Sequence, residues 1–384
     1  MCVAAEERKR ILYVITDPVS LRFLRGQLSF LVQRGFEVHV ATAGSPALDE
    51  FARTEGVTPH RVRLTRSPHP LRDALALVDL LRLIRRVRPD LVNVSTPKAG
   101  LLGGLAAWLS RVRVRVYVVR GLRFENTFGF ERTILRIFEW ISMHTATNVV
   151  FNSRSLRAAA EADGLIRSGR GVVLASGSGN GLAFARFESA PDRSSARSRI
   201  GLDADDPVLG FVGRYTRDKG IEDLLEAFSI ISESIPGVRL VLAGSQDDSD
   251  PISADCLRRI ADTELITDLG WIDDPIELLA AIDVLVFPSY REGLPNVPLE
   301  AQALGVPVVA YGATGTVDAV IDGETGILVS VGSIVGLAGG VAELISDRSR
   351  MVEMGERGRE WVRGEFAPER IWNELLLNYE FWID

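Results

Sequence analysis

Apolar and polar positions along the chain fall into two repeating rhythms. Short runs rich in β-branched residues, "RILYVIT", "FEVHVAT", "PDLVNVS", "RVRVYVV", "TNVVF" and "GVVLA", each precede 10 to 20 residues with apolar positions at helical spacing. Continuous apolar runs of this length read as strands buried on both faces, and their alternation with helical segments predicts βα units around a parallel sheet. The rhythm breaks at "PDRSSARSRIGLDADDP" and restarts with "VLGFVG", "RLVLAG", "DVLVFPS" and "PVVAY". Two doubly wound α/β domains follow, with a boundary in the glycine-rich stretch near residues 176 to 190. The last segment, "APERIWNELLLNYEFW", opens on Pro368 and carries helically spaced apolar residues, so it predicts a helix that returns to the first domain. The domains are therefore drawn as 1–180 with 366–384, and 181–365.

In open parallel sheets, ligands sit beyond the carboxyl ends of the strands. The loop after "VLGFVG" holds Arg214, Arg217 and Lys219 ahead of a helix, and cations placed there can clamp a phosphate. The lysine stands out in a chain with 41 arginines and three lysines. After "DVLVFPS" comes "YREGLPNVPLEAQAL", where Asn296 is the expected N-cap of a helix with Pro298 in its first turn. The amides of Gly293, Leu294, Asn296 and Val297 would then face an anion, aided by the helix dipole. Glu292 and Glu300 flank this turn and would repel a bare phosphate. They suit the hydroxyls of sugars instead. A diphosphate between two sugars satisfies all of these groups, which describes a nucleotide sugar.

Composition narrows the class. With 46% hydrophobic and 25% charged residues, the 384-residue chain reads as soluble and globular. Cys2 and Cys256 give neither a disulfide framework nor a metal spacing. Glu6 and Glu7 precede the first apolar run, the wrong order for a secretory signal, and the uncharged run 326–342 is split by glycines. Asp248 and Asp250 in "DDSD" have the spacing of a metal-binding acid pair but read as a solvated loop, so no metal is expected. The net charge of −7 conceals an asymmetry. Residues 1–180 hold 27 Lys and Arg against 15 Asp and Glu, a net +12, whereas residues 181–384 hold 17 against 36, a net −19. A basic first half concentrates anions such as lipid headgroups or a diphosphate; nucleic acid is not indicated, because the basic residues are not interleaved with aromatics. "LRDALALVDLLRLIRRVRP" predicts an amphipathic helix that either packs on its sheet or meets a membrane surface.

The pattern Glu-x7-Glu in "EGLPNVPLE", with "FVGRYTRDKG" before it and "GVPVVAYGATGTVDAVIDGETGILV" after it, resembles the family-four retaining glycosyltransferases of the GT-B fold. In the first half, "FLRGQ", "STPKAGLLG" and "VVRGLRFE" resemble the branch that includes bacillosamine-linked and capsular sugar transferases acting on polyprenyl diphosphates. The resemblance implies two Rossmann-like domains facing a cleft. It implies that Arg214 and Lys219 bind the donor diphosphate, Glu300 the ribose and Glu292 the transferred sugar, with backbone near Trp271 and Ile272 reading uracil. In the first domain it points to Arg25, Gly26, Lys98, Arg120 and Glu125, on the acceptor side or near the reacting centre. Relatives often carry a histidine where this chain has Arg120, and a Gly-Gly loop where it has only Gly26. The implied reaction moves a sugar, an N-acetylated hexosamine or a related one, from a UDP-sugar to a polyprenyl-diphosphate-linked saccharide. It proceeds with retention, without metal or other cofactor, at the cytoplasmic face of the membrane. A UDP-sugar epimerase of the same fold, a transferase with a soluble acceptor and a nucleotide-sugar-binding regulator remain the alternatives.

Overall fold

The computed structural model describes residues 8–67, 69–247 and 250–384; Cys2, Glu6, Glu7 and Asp248 lie outside them. The chain forms two compact units, one of residues 1–181 with 368–384 and one of residues 182–367.

The first unit is built on a parallel sheet. Its strands are β1 (Arg10–Val14), β2 (Glu37–Thr42), β3 (Thr58–Arg61), β4 (Leu91–Ser95), β5 (Val114–Val119), β6 (Asn148–Phe151) and β7 (Gly171–Val173), in the spatial order β3-β2-β1-β4-β5-β6-β7. β1 lies between β2 and β4, with Leu12 opposite both His39 and Val92. Because both faces are covered, the inner strands are mostly apolar rather than alternating, with His39, Thr42, Asn93 and Ser95 as buried polar exceptions. One face carries the helices Pro70–Val87, Pro97–Leu109 and Gly129–Thr145. The other is closed in part by the C-terminal helix Pro368–Ile383, which buries Ile371, Leu375, Tyr379 and Ile383. This helix is also held by polar bonds: Asn93 Nδ2 donates to Tyr379 Oη at 2.5 Å, and Tyr379 Oη lies 3.0 Å from Tyr13 Oη.

The second unit repeats the plan with β8 (Val208–Val212), β9 (Arg239–Ala243), β10 (Ile266–Asp268), β11 (Val284–Phe287), β12 (Val308–Tyr311) and β13 (Gly326–Val329), in the order β10-β9-β8-β11-β12-β13. The order reverses between β8 and β11, so the loops leaving these two strands diverge and open a crevice at their carboxyl ends.

The doubly wound plan expected from the sequence is present in both units. The apolar runs named from the sequence leave out β3, β10 and β13, and all three are sheet edges. β3, "TPHR", is mostly exposed and contains Pro59, which is tolerated where one side of the strand pairs with nothing. β10 has only three residues, too few for any periodicity to register.

Candidate active site

In the second unit the loop after β8 turns through a short 3-10 segment, Arg217–Lys219, and ends on Gly220 in the left-handed region. A Cβ on Gly220 would lie 2.1 Å from the Pro288 carbonyl oxygen, so only glycine allows this loop to press against the end of β11. The two loops are then stitched by Asp218. Its carbonyl accepts from Tyr290 N at 2.9 Å, and its carboxylate accepts from Arg291 Nη2 at 3.0 Å.

This stitching sets the central pair. Lys219 Nζ donates to Glu292 Oε1, and Ser289 Oγ donates to the same oxygen at 2.8 Å. Both side chains are mostly buried. Since both bonds fall on Oε1, Oε2 is the oxygen left to accept from a ligand hydroxyl. The backbone at Glu292 is fixed from a third loop: its amide donates to Thr314 O at 2.9 Å, and Gly315 in left-handed conformation would place a Cβ 2.6 Å from the Glu292 carbonyl oxygen. From below, Tyr290 and Tyr311 each donate a hydroxyl to Asp223 Oδ2 at 2.6 Å, and burial raises the Tyr290 phenol to about 12.

The helix Asn296–Ala303 follows. Its N-cap is Pro295, with φ −76° and ψ 127° and no side-chain cap, which corrects the expectation that Asn296 would cap it. Asn296 is instead the first helical residue and is exposed. The change has a chemical consequence, because among the described residues no side chain occupies the amides at this helix end. The amides of Gly293 and Leu294 donate to no acceptor among the described residues. Those of Asn296 and Val297 precede the first intrahelical bond. Four N–H groups are thus available at a positive dipole end, in the turn that begins with Glu292, the partner of Lys219.

Glu300, one turn into that helix and mostly buried, lies 3.9 Å from Arg186 Nη1. Arg186 also donates to Asp274 Oδ1 at 2.9 Å, in the loop after β10 that carries Trp271 and Ile272. The sequence reading missed Arg186, which sits in an unremarkable stretch, "NGLAFARFESA". Trp271 is exposed and Ile272 is half-buried, while Arg214 pairs with Asp247 and Arg217 is exposed. Among the described residues no group of three or more His, Cys, Asp or Glu could hold a metal ion.

In the first unit, Arg120 closes β5 with its guanidinium carbon 5.2 Å from the Phe23 ring centroid. It lines a small cavity with Tyr13, Gln27, Asn93, Ser178 and Gly179. Burial lowers its pKa to about 10, Tyr13 opposing, so it stays charged at neutral pH. Gly26, also left-handed, faces Trp372: a Cβ there would lie 2.6 Å from the indole, and its amide donates to Glu55. Its glycine therefore serves the docking of the C-terminal helix. Arg25 is exposed and its carbonyl accepts from Asn180 Nδ2 at 2.9 Å. Lys98 is committed within the unit, donating to Thr65 Oγ1, Ser67 O and Asp73 Oδ1 at 3.3, 2.6 and 2.7 Å, one acceptor for each ammonium proton. Glu125 lies half-buried in the turn Arg123–Asn126.

Comparison with known proteins agrees with this architecture. Glycosyl transferases group 1 matches residues 192–361, and Glycosyltransferase Family 4 matches residues 22–177. The capsular polysaccharide biosynthesis glycosyltransferase CapM of Staphylococcus aureus is 32% identical over 377 residues, covering 98% of each chain. The UDP-Gal:alpha-D-GlcNAc-diphosphoundecaprenol alpha-1,3-galactosyltransferase of Escherichia coli is 25% identical over 291 residues, 74% of each. The solved structure of Anabaena HepE in complex with UDP-glucose superposes with a TM-score of 0.79 at 20% identity, covering 97% of this chain and 99% of that one, a likeness of fold. The chain belongs to the family-four, group 1 glycosyltransferases of GT-B fold, on the branch of capsular polysaccharide biosynthesis.

Proposed function

We propose that this glycosyltransferase moves a sugar, an N-acetylated hexosamine or a related one, from a UDP-sugar to a polyprenyl-diphosphate-linked saccharide, with retention of configuration and without a metal. One observation carries the donor half: Lys219, Glu292 Oε2 and four amides at an uncapped helix end converge where the strand order reverses. Lys219 and the amides hold the diphosphate, Glu292 Oε2 accepts from the transferred sugar, and Glu300 accepts from the ribose. The backbone near Trp271 and Ile272 reads the base.

In the transfer, charge grows on the leaving diphosphate. Fixed cations and amides stabilise that charge better than water does, because they need not reorganise. Retention then follows from attack on the same face, with the leaving phosphate oxygen taking the acceptor's proton. Glu292 is held by Lys219 and Ser289, which suits a residue that positions a sugar rather than one that attacks it. In the first unit, Arg120 is assigned an electrostatic role; a guanidinium near 10 is no base at neutral pH. The names of the relatives support the acceptor half, since the Escherichia coli relative's substrate is a diphosphoundecaprenol-linked sugar. The +12 charge of residues 1–180 suits peripheral attachment to the inner face of the membrane, and among the described residues no helix is long and apolar enough to cross one.

The test is a panel of UDP-sugars incubated with polyprenyl-diphosphate-linked saccharides in EDTA, with product configuration read by NMR. Transfer in EDTA giving an α-linkage from an α-donor is expected. Conversion of the UDP-sugar without acceptor would move the chain to the epimerase reading, and a requirement for added divalent cation would remove the metal-independent step.

A further inference from the structure

The helix Gly129–Thr145 is inverted with respect to water. Its buried positions are Glu139, Ser142, Met143 and Thr145, whereas Phe130, Ile137, Phe138 and Trp140 stand outward at 80, 49, 43 and 48% exposure. Phe128, just before the helix, is 84% exposed. The inward polar groups are satisfied: Glu139 accepts from Tyr117 Oη at 2.7 Å, and the Ser142 and Thr145 hydroxyls donate to carbonyls of their own helix. Phe130, Ile137 and Trp140 fall within a sector of about 80° at helical spacing, which Thr133 and His144 share, and Phe138 lies on the opposite flank of Phe130. Helices of a globular protein show the opposite pattern, and a contiguous exposed apolar patch marks a binding surface.

The stripe continues onto its neighbours. Helix Pro97–Leu109 packs against it and ends on Trp108 and Leu109, exposed at 53 and 52%. Helix Pro70–Val87 packs next and turns Leu71, Leu75 and Val78 outward at i, i+4 and i+7. The segment 70–145 that supplies these helices has 13 Lys and Arg against 6 Asp and Glu, a net +7. One of those acids, Glu139, is buried, while Arg82, Arg85, Arg111, Arg113 and Arg136 are exposed.

We propose that this face is the surface by which the chain docks on an anionic lipid bilayer, with Phe128 and Phe130 entering the acyl region and the arginines meeting headgroup phosphates. The proposal rests on the membrane-attached reading above and names the element that performs it. Charge selects the occupant. A second copy of the chain on this face would set two basic surfaces together, whereas an anionic bilayer complements both the apolar stripe and the arginines.

The full chain is sedimented with vesicles of phosphatidylcholine and phosphatidylglycerol in equal parts, and with phosphatidylcholine alone. Phe128→Ser/Phe130→Ser is expected to lower partition onto the mixed vesicles roughly tenfold or more. Phe381→Ser, an equally exposed phenylalanine on the C-terminal helix, is expected to leave it unchanged. UDP binding by calorimetry reports that each variant is folded. Unchanged partition of the double variant overturns the proposal, as does equal partition of the wild type onto both vesicle types. So does a dimer in sedimentation velocity that the double variant abolishes. Transfer activity is read separately: loss of the transferase reading with face-dependent vesicle binding intact leaves the docking surface standing.

Discussion

Lys219 and Glu292 form an ion pair between the loops that leave two adjacent strands, and Ser289 donates to the same carboxylate oxygen. The pair fixes the ammonium to the turn that leads into the helix Asn296–Ala303. Replacing Lys219 with Met removes the one lysine of the second unit and leaves Glu292 with Ser289 alone. UDP affinity is expected to fall by one to two orders of magnitude, the scale of a charge-assisted contact in a partly desolvated site. Calorimetric titration with UDP measures it, and undiminished affinity would remove Lys219 from the diphosphate clamp.

Gly220 makes that pair possible. Alanine there meets two penalties, a left-handed backbone at φ +68° and a Cβ 2.1 Å from the Pro288 carbonyl oxygen. Neither relaxes cheaply, since the obstacle is backbone. Gly220→Ala is expected to lose more than about 2 kcal/mol in urea denaturation, and to weaken UDP binding because Lys219 is the preceding residue. A variant as stable as wild type would show that the loop has room the geometry denies.

These residues also show what the sequence could disclose. Lys219 and Glu292, which the structure pairs, stood out in the sequence with Glu300 because a carboxylate pair around a glycine-proline turn, and a lysine among arginines, depart from the chain's habits. Arg186 was not, since its partners Glu300 and Asp274 are remote in sequence and its own neighbours carry no pattern. Asn296 was misplaced as N-cap because residue preference favours Asn, while the backbone here is set one residue earlier by Pro295. The edge strands β3 and β10 lacked the two-sided burial that gives inner strands their apolar runs. The inverted helix was invisible for a related reason: periodicity locates an apolar stripe but does not say which way it points.

Glu139 gives that helix a pH signature. Burial raises its carboxyl to about 7, against the opposing effects of the Tyr117 hydrogen bond and Arg123. The folded state therefore holds the proton more tightly than the unfolded one. Stability from this group is complete below the usual carboxylate range and is lost as pH rises through about 7. Glu139→Gln keeps an acceptor for Tyr117 and removes the ionisation. The variant is expected to exceed wild type by on the order of 2 kcal/mol at pH 8 and to match it near pH 5. Parallel thermal melts across that range check it, and a constant difference would place the effect elsewhere.

Arg120 separates function from stability most sharply. Its guanidinium is packed over Phe23 and against Gly179, where an added Cβ would lie 2.5 Å from Nη1. No carboxylate is paired with it among the described residues. A partly desolvated charge without a counter-charge costs stability, so a group retained for folding alone would do better as an apolar chain of similar length. Arg120→Met is expected to melt at or above the wild-type temperature while losing roughly 100-fold in kcat/KM, the scale of one electrostatic contact to developing charge. Arg120→Lys keeps the charge but not the planar fork, and is expected to fall between the two. If Arg120→Met instead destabilised the fold and left the turnover of the remaining folded fraction intact, the residue would be a packing element of the first unit.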